Sequence, residues 1–267
     1  MKCELTIGRV PASDSYQDYI AFGSGKRPLV MIPGLSLQRV RPAALTLALM
    51  YRSFWKDYRV YLFDRREQLP PNYSVAHIAS DLAQGMQTLG ISHAHVIGIS
   101  QGGMAAQQLA LDWPHLVDRM VLAVTAGRSN QRLEEVVSGW IRQAETGDMK
   151  GFAADMMRQM YSPTYQRRYR LIIPLAVRLM KGQDLPRFVR QARACLTQQS
   201  WHRLGEIRCP VLVLGGEEDQ IVTAQASREL AEALGCPIWM YEGLGHAAYE
   251  EAADFNQRML TFLRQQG

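Results

Sequence analysis

Cysteine is scarce in this sequence: Cys3, Cys195, Cys209 and Cys236 are the four present in 267 residues. They lie far apart and never form a Cys-x-x-Cys pair, so no zinc site is expected. Long apolar runs are also missing. No stretch approaches the roughly 18 apolar residues of a membrane span. The opening Met1-Lys2-Cys3-Glu4-Leu5 carries no signal-peptide pattern, so reduced thiols in a cytoplasm are the expectation. Internal repeats and low-complexity segments are absent. So are basic–aromatic strand motifs and helix-turn-helix signatures, which argues against nucleic acid as a partner.

The composition that remains, 47% hydrophobic and 21% charged, is that of a globular chain. Its length suffices for one large core, or for a core and a subdomain. Net charge is +5 and unevenly placed. Arg128 to Arg208 holds 15 Lys/Arg against 7 Asp/Glu, while the rest holds 15 against 18. A basic module is thus inserted in a mildly acidic chain. A solvated, Arg-rich helical surface accounts for it; attraction of an acidic substrate is the functional alternative.

The richest stretch is His95-Val96-Ile97-Gly98-Ile99-Ser100-Gln101-Gly102-Gly103. An apolar strand pattern ends in Gly-x-Ser-x-Gly, and a helical pattern follows from Met104 to Asp112. A serine hydroxyl is a poor nucleophile and must stand clear of its strand to meet a base and a substrate. The sharp, strained turn leaves little room for neighbouring Cβ atoms, which is what the glycines supply.

Around it, Lys2–Val10 and Tyr16–Phe22 read as an antiparallel hairpin. Pro28–Ile32, Tyr58–Phe63, His93–Ile99, Arg119–Thr125, Val211–Leu214 and Ile238–Tyr241 read as further strands. Arg41–Trp55, Val75–Leu89 (N-capped by Ser74), Ala224–Leu234 and Glu250–Gln265 read as helices. From Arg128 to Arg203 only helical periodicity is seen. Breaks at Gly147, Gly151, Pro163, Pro174, Gly182 and Pro186 divide it into about four helices. Alternating strands and helices predict an α/β fold, with a mostly parallel sheet covered on both faces. Function in such sheets gathers at the carboxyl ends of the strands, where the helical insertion would sit as a lid.

A serine nucleophile needs a base and a carboxylate to orient it. In this architecture both follow the serine in sequence, which passes over His77, His93 and His95. His115 lies beyond the helix that carries Ser100 away, and His202 ends the helical insertion. His246 remains, in the glycine-rich loop Gly243-Leu244-Gly245-His246-Ala247 after the last strand. For the acid, the loop after Val211–Gly216 offers Glu217, Glu218 and Asp219, of which Asp219 is chosen. Thr125-Ala126-Gly127-Arg128, the other usual location, holds no carboxylate. The acidic cluster also suits the start of the helix from Ala224, through Glu217, Glu218 or Thr223.

With these motifs in order, each at a strand end, the sequence resembles the α/β-hydrolase fold superfamily over essentially its whole length. The resemblance implies a sheet of about eight strands and a core of residues 1–127 and 204–267. It also implies a helical cap, residues 128–203, between strands six and seven. It implies a triad of Ser100, His246 and Asp219 and an oxyanion hole from the Gln101 and Leu35 backbone N–H groups. Two departures stand out. Pro33-Gly34 replaces the family's frequent His-Gly, so that loop must be hydrogen-bonded differently. Asp64-Arg65-Arg66-Glu67-Gln68-Leu69-Pro70-Pro71-Asn72-Tyr73-Ser74 replaces Asp-x-Arg-Gly-x-Gly-x-Ser.

The reaction implied is cleavage of an ester, lactone or related carbonyl bond of a small molecule through an acyl-enzyme, without a cofactor, as in a carboxylesterase. C–C bond hydrolysis, a cofactor-free lyase or an acyltransferase would use the same triad. A non-catalytic small-molecule receptor would share the fold alone. Gly34 and Ser36 are candidates for the substrate pocket. So are Trp140, Phe152, Met156, Met157, Met160, Tyr161 and Phe188, which would take an apolar acyl part, although cap core is the commoner role at helical spacing.

Overall fold

The computed structural model describes residues 4–169 and 184–265. Its centre is an eight-stranded sheet in the order β1-β2-β4-β3-β5-β6-β7-β8. The strands are β1 Thr6–Ala12, β2 Ser15–Phe22, β3 Arg27–Ile32, β4 Tyr58–Phe63, β5 Ala94–Ile99, β6 Val117–Ala123, β7 Val211–Gly216 and β8 Ile238–Tyr241. β2 runs antiparallel to both β1 and β4, and the pairings from β4 through β8 are parallel. The hairpin is tighter than the sequence implies. Ala12 pairs with Ser15, so Ser13 and Asp14 alone make the turn, with Ser13 at φ 55°. Pro11 therefore lies inside β1, which an edge strand tolerates because one row of its N–H groups has no partner. Lys2 and Cys3, read as the start of that strand, lie outside the described residues.

Alternate side chains of the inner strands feed two cores. Val96, Met120, Leu122 and Val213 join one cluster with α2 (Val75–Thr88) and α3 (Gln101–Asp112). Ile97, Val121, Leu212 and Leu214 join the other, with α1 (Ala44–Met50). β5 is buried at every residue. Its carboxyl end, where Ser100 begins the next element, is thus held from both sides and both faces. Ser74 caps α2, its Oγ accepting from the His77 N–H at 3.4 Å. The expected helix over Arg41–Trp55 divides into α1 and a 3₁₀ turn, Arg52–Phe54.

Between β6 and β7 the chain runs through α4 (Gln131–Thr146), α5 (Met149–Met160), α6 (Pro163–Tyr169), α7 (Leu185–Cys195) and a 3₁₀ segment, Ser200–Glu206. α4 stops at Gly147, whose φ of 72° ends the helix. Gly151 does not break the helix: it lies in the first turn of α5, where its N–H takes the Asp148 cap at 2.9 Å. The breaks read at Pro174 and Gly182 lie outside the described residues. Several arginines of this segment are engaged. Arg193 pairs with Glu145 and Arg158 with Asp155, while Arg187 and Arg190 reach carbonyl oxygens of the loop after β4.

β7 leads to α8 (Ala224–Leu234), capped by Thr223 at 3.2 Å. The helix expected over Glu250–Gln265 is two: α9 (Ala248–Glu251) and α10 (Phe255–Leu263). Ala252 is extended (ψ 118°) between them. That bend lets Phe255, Met259, Leu260 and Leu263 turn onto the sheet.

Candidate active site

Ser100 stands at the carboxyl end of β5 with φ 53° and ψ −119°, just before α3. This conformation is uncommon for a residue with a Cβ and stores strain. It is held by hydrogen bonds on both of its backbone groups. The Ser100 N–H donates to Ala123 O at 2.8 Å, and Ser100 O accepts from Gly103 N and from Thr125 Oγ1, both at 2.8 Å. Close approach explains the glycines. A Cβ on Gly102 would lie 1.9 Å from Ile32 O, so α3 can start against β3 only with glycine there. Gly102 and Gly103 belong to the first turn of α3, which is why the helix begins at Gln101, three residues before the expected start.

Ser100, His246 and Asp219 are brought together. His246 Nε2 lies 2.9 Å from Ser100 Oγ, and His246 Nδ1 lies 2.8 Å from Asp219 Oδ2. With the proton on Nδ1 the imidazole donates to Asp219, and Nε2 is free to accept from the serine hydroxyl. Asp219 is buried, and its second oxygen accepts from the Ile221 and Val222 N–H groups at 2.8 and 3.0 Å. That carboxylate is therefore fixed in the orientation that fixes the histidine. Of the neighbouring acids, Glu217 pairs with Arg228 and Glu218 is exposed. The two loops meet backbone to backbone, since a Cβ on Gly216 would fall 2.3 Å from Gly245 O. His246 is also tied to the helical segment through its neighbours. Ala247 N donates to Met160 O at 2.8 Å, and Glu251 accepts from Ser162 N at 2.9 Å.

Gln101 N, at the start of α3, and Leu35 N, in the loop after β3, have no acceptor among the described residues. Both residues flank the serine: Leu35 and Ser100 line one cavity, and a Cβ built on Gly34 would sit 3.3 Å from the Ser100 Cβ. The Pro33 loop is held by a residue that sequence reasoning missed. Arg65, buried at 4% exposure, donates to Pro33 O at 2.7 Å and to Gln101 Oε1 at 3.1 Å. Burial lowers its pKa from the usual guanidinium value, with the Asp64 charge among those opposing the shift.

A small, narrow cavity lies in front of Ser100 and His246. Gly34, Trp140, Met156 and Met160 are among its walls. Ser36, Met157, Tyr161, Phe152 and Phe188 are not. Ser36 lines a separate groove beside the Pro33 loop, and its Oγ accepts from Gln38 N. Phe188 packs edge-on against Phe152, at 5.1 Å between centroids, as core of the helical segment. Tyr161 donates to Glu250 at 2.7 Å and stacks on Tyr165. Met157, on α5 with Met156 and Met160, is only part-buried and takes no place in the lining. Leu133, Val137, Met104, Cys195, Ile221 and Tyr249 complete the apolar lining. Tyr249 carries the one readable signal, since it sits one short turn beyond His246. Burial pushes the Cys195 thiol up to about 12, so it contributes bulk and not a nucleophile. Among the described residues no group of three or more His, Cys, Asp and Glu could hold a metal ion.

A hydroxyl bonded to an imidazole, an imidazole bonded to a buried carboxylate, and two free N–H groups beside the hydroxyl form an arrangement capable of acyl transfer.

Comparison with known proteins identifies the family. Residues 27–253 match the family model described as alpha/beta hydrolase fold. The chain is 28% identical over 264 residues to a 2-hydroxy-6-oxononadienedioate/2-hydroxy-6-oxononatrienedioate hydrolase of Paraburkholderia phymatum, covering 91% of this chain and 89% of that protein. It is 27% identical over 187 residues to a candidate carbamate hydrolase, RutD, of Shigella dysenteriae, covering 67% of this chain and 84% of that one. Among solved structures, MGS-M2, an alpha/beta hydrolase enzyme from a Medee basin deep-sea metagenome library, superposes with a TM-score of 0.85. That match has 22% identity and covers 97% of this chain and 98% of the other. The match spans most of the sheet, the serine turn and the histidine loop, and the chain belongs to the alpha/beta hydrolase fold family.

Proposed function

We propose that this chain is a serine hydrolase that cleaves an ester, lactone or related carbonyl bond of a small molecule. The carrying observation is the unbroken relay from Ser100 Oγ through His246 to Asp219, with contacts of 2.9 and 2.8 Å. Ser100 is the nucleophile, His246 the general base and Asp219 the group that holds the imidazole tautomer. Ser100 Oγ attacks the carbonyl carbon as His246 Nε2 takes its proton. The carbonyl oxygen becomes an oxyanion against the Leu35 and Gln101 N–H groups. Each such preorganised donor is worth about 2.7–4 kcal/mol in the transition state. The tetrahedral intermediate collapses, His246 protonates the leaving group, and an acyl-Ser100 ester remains. Water then attacks that ester with His246 again as base, and Ser100 is restored. The reading needs no metal or organic cofactor.

The helices between β6 and β7 act as the cap, residues 128–203, over a core of 1–127 and 204–267. Their contribution to the cavity is apolar: Leu133, Val137, Trp140, Met156 and Met160. No Lys or Arg is in its lining among the described residues, and the cap arginines described above are engaged with carboxylates and carbonyl oxygens. A neutral apolar acyl group suits this site better than the anionic one that the basic surplus alone would favour. The two relatives are named for different substrates, a dioate and a carbamate. The reaction centre is therefore read from the relay, and the bond from a substrate panel.

The test is hydrolysis of aryl esters, lactones and carbamates of matched acyl size by the wild type and by Ser100→Ala. Ester or lactone turnover that falls by about 10⁴-fold or more in the variant supports the reading. Turnover that survives in Ser100→Ala, or no cleavage of any of these classes, overturns it.

A further inference from the structure

The two oxyanion donors assigned above come from separate segments. Leu35 belongs to the loop after β3, and Gln101 to the turn after β5. The last backbone pairing between those strands is Ile32 with Gly98. Beyond it each segment turns away on its own, and the distance between the two N–H groups is left to side chains. At its first residue the loop after β3 has few means of being held. Pro33 has no N–H and no polar side chain, so its carbonyl is its one hydrogen-bonding group.

One guanidinium bridges the gap. Arg65 Nη2 donates to Pro33 O at 2.7 Å and to Gln101 Oε1 at 3.1 Å. The Gln101 side chain is fully buried, and its Nε2 donates onward to Gln191 O at 2.6 Å and Cys195 Sγ at 3.1 Å, both on α7. Arg65 is anchored in turn. Its own carbonyl accepts from Arg187 at 2.7 Å, and its N–H donates to Asp64 Oδ1 at 2.7 Å. The two places where the sequence departs from the family pattern, Pro33 and the loop from Asp64 onward, are thus joined by one hydrogen bond.

We propose that Arg65 is a positioning residue: by tying the Pro33 carbonyl to the Gln101 side chain it sets the spacing of the Leu35 and Gln101 N–H groups that receive the oxyanion. The proposal rests on the serine-hydrolase reading. Both bonds leave one nitrogen, Nη2, whose two N–H directions are fixed by the guanidinium plane. A lysine ammonium on its flexible stem keeps the charge and no longer fixes those directions. The consequence falls on the transition state and not on substrate binding, because the donors meet the oxyanion only after attack.

The experiment compares wild type, Arg65→Lys and Gln101→Met in steady-state kinetics on the best ester of the panel. A trifluoromethyl ketone of the same acyl chain serves as a probe, since it adds Ser100 to form a tetrahedral oxyanion. All assays run well below each variant's Tm. Arg65→Lys is expected to lower kcat by about 10- to 100-fold with KM within about threefold, and to raise the ketone Ki in parallel with the loss of kcat. Gln101→Met leaves every backbone N–H in place and carries the same test if Arg65→Lys does not fold. Its kcat should fall and its ketone Ki rise, as expected for Arg65→Lys. A folded variant with unchanged kcat and Ki, or one in which KM alone changes, overturns the proposal and leaves Arg65 as a packing residue. If the wild type neither cleaves an ester nor binds the ketone, the serine-hydrolase reading fails first, and this proposal with it.

Discussion

Asp219 shows how much a site can depend on one carboxylate without that group touching a substrate. One of its oxygens is taken by two backbone N–H groups and the other by His246. Replacing it by asparagine would keep the shape and offer His246 a donor where it needs an acceptor, which favours the wrong imidazole tautomer. Asp219→Asn should therefore lose about 10⁴-fold in kcat with little change in KM, as read by steady-state kinetics. A loss under tenfold would show that the tautomer is fixed by something else. At this scale the three residues that the structure brings together were legible, because acyl-transfer chemistry restricts the candidates to a few residue types at strand ends. Ser100, Asp219 and His246 each carry a local signal: a glycine turn, an acidic loop, a glycine-flanked histidine. Residues with no such signal were not legible. Phe188 and Met156 look alike in a helical pattern, yet one packs in the core of the helical segment and the other lines the cavity. Only the rotation of each helix against its neighbours separates them.

Among the elements, β5 carries the most. It places Ser100 and is buried at each position, His95 included. His95 Nδ1 lies 3.1 Å from the Tyr58 hydroxyl. Burial, with smaller contributions from Arg27 and other charges, lowers its pKa from 6.5 to about 4. The folded state thus keeps this imidazole neutral over a range in which the unfolded chain takes up a proton. Its contribution to stability is fully present above about pH 6.5 and is lost as pH falls toward 4. Asp81, which burial raises to about 6, acts in the opposite sense between about 4 and 6. The informative quantity is therefore the difference between wild type and His95→Gln. Thermal unfolding of the variant should be less sensitive to pH between 6.5 and 4 by several degrees. Parallel curves would show that His95 is not what titrates. The strands themselves were readable to within a few residues, since buried parallel strands are short apolar runs between turn residues. Their ends were less so. Gly102 and Gly103 look like loop in sequence, and the contact of α3 with β3 makes them helix. The final helix breaks at Ala252, in a run without proline or glycine to announce it.

For the whole molecule, the segment between β6 and β7 and the sheet are joined at defined points on both sides of the serine. On one side Arg187, 6% exposed, donates to the carbonyl oxygens of Arg65, Arg66 and Glu67 and lies 3.3 Å from Asp64. On the other, Ser162 and Met160 hold the turn that carries His246. Removing one partner of a buried charged network leaves the rest desolvated and unpaired. Arg187→Met should cost about 3–5 kcal/mol, a Tm fall of about 6–20 °C for a chain of this size. It should also speed hydrogen exchange at residues 64–69 before the rest of the sheet. An unchanged Tm would contradict the network. The basic surplus gave no hint of this use, because charge counts carry no information about which arginines turn inward.

An activated Ser100 underlies the proposed reaction, and intact-mass labelling with a fluorophosphonate tests it most directly. Wild type, Ser100→Ala and His246→Ala are treated under the same conditions. A single adduct on the wild type, absent from Ser100→Ala and strongly slowed in His246→Ala, is the predicted result. No adduct on the folded wild type, or an adduct that persists in Ser100→Ala, would contradict it.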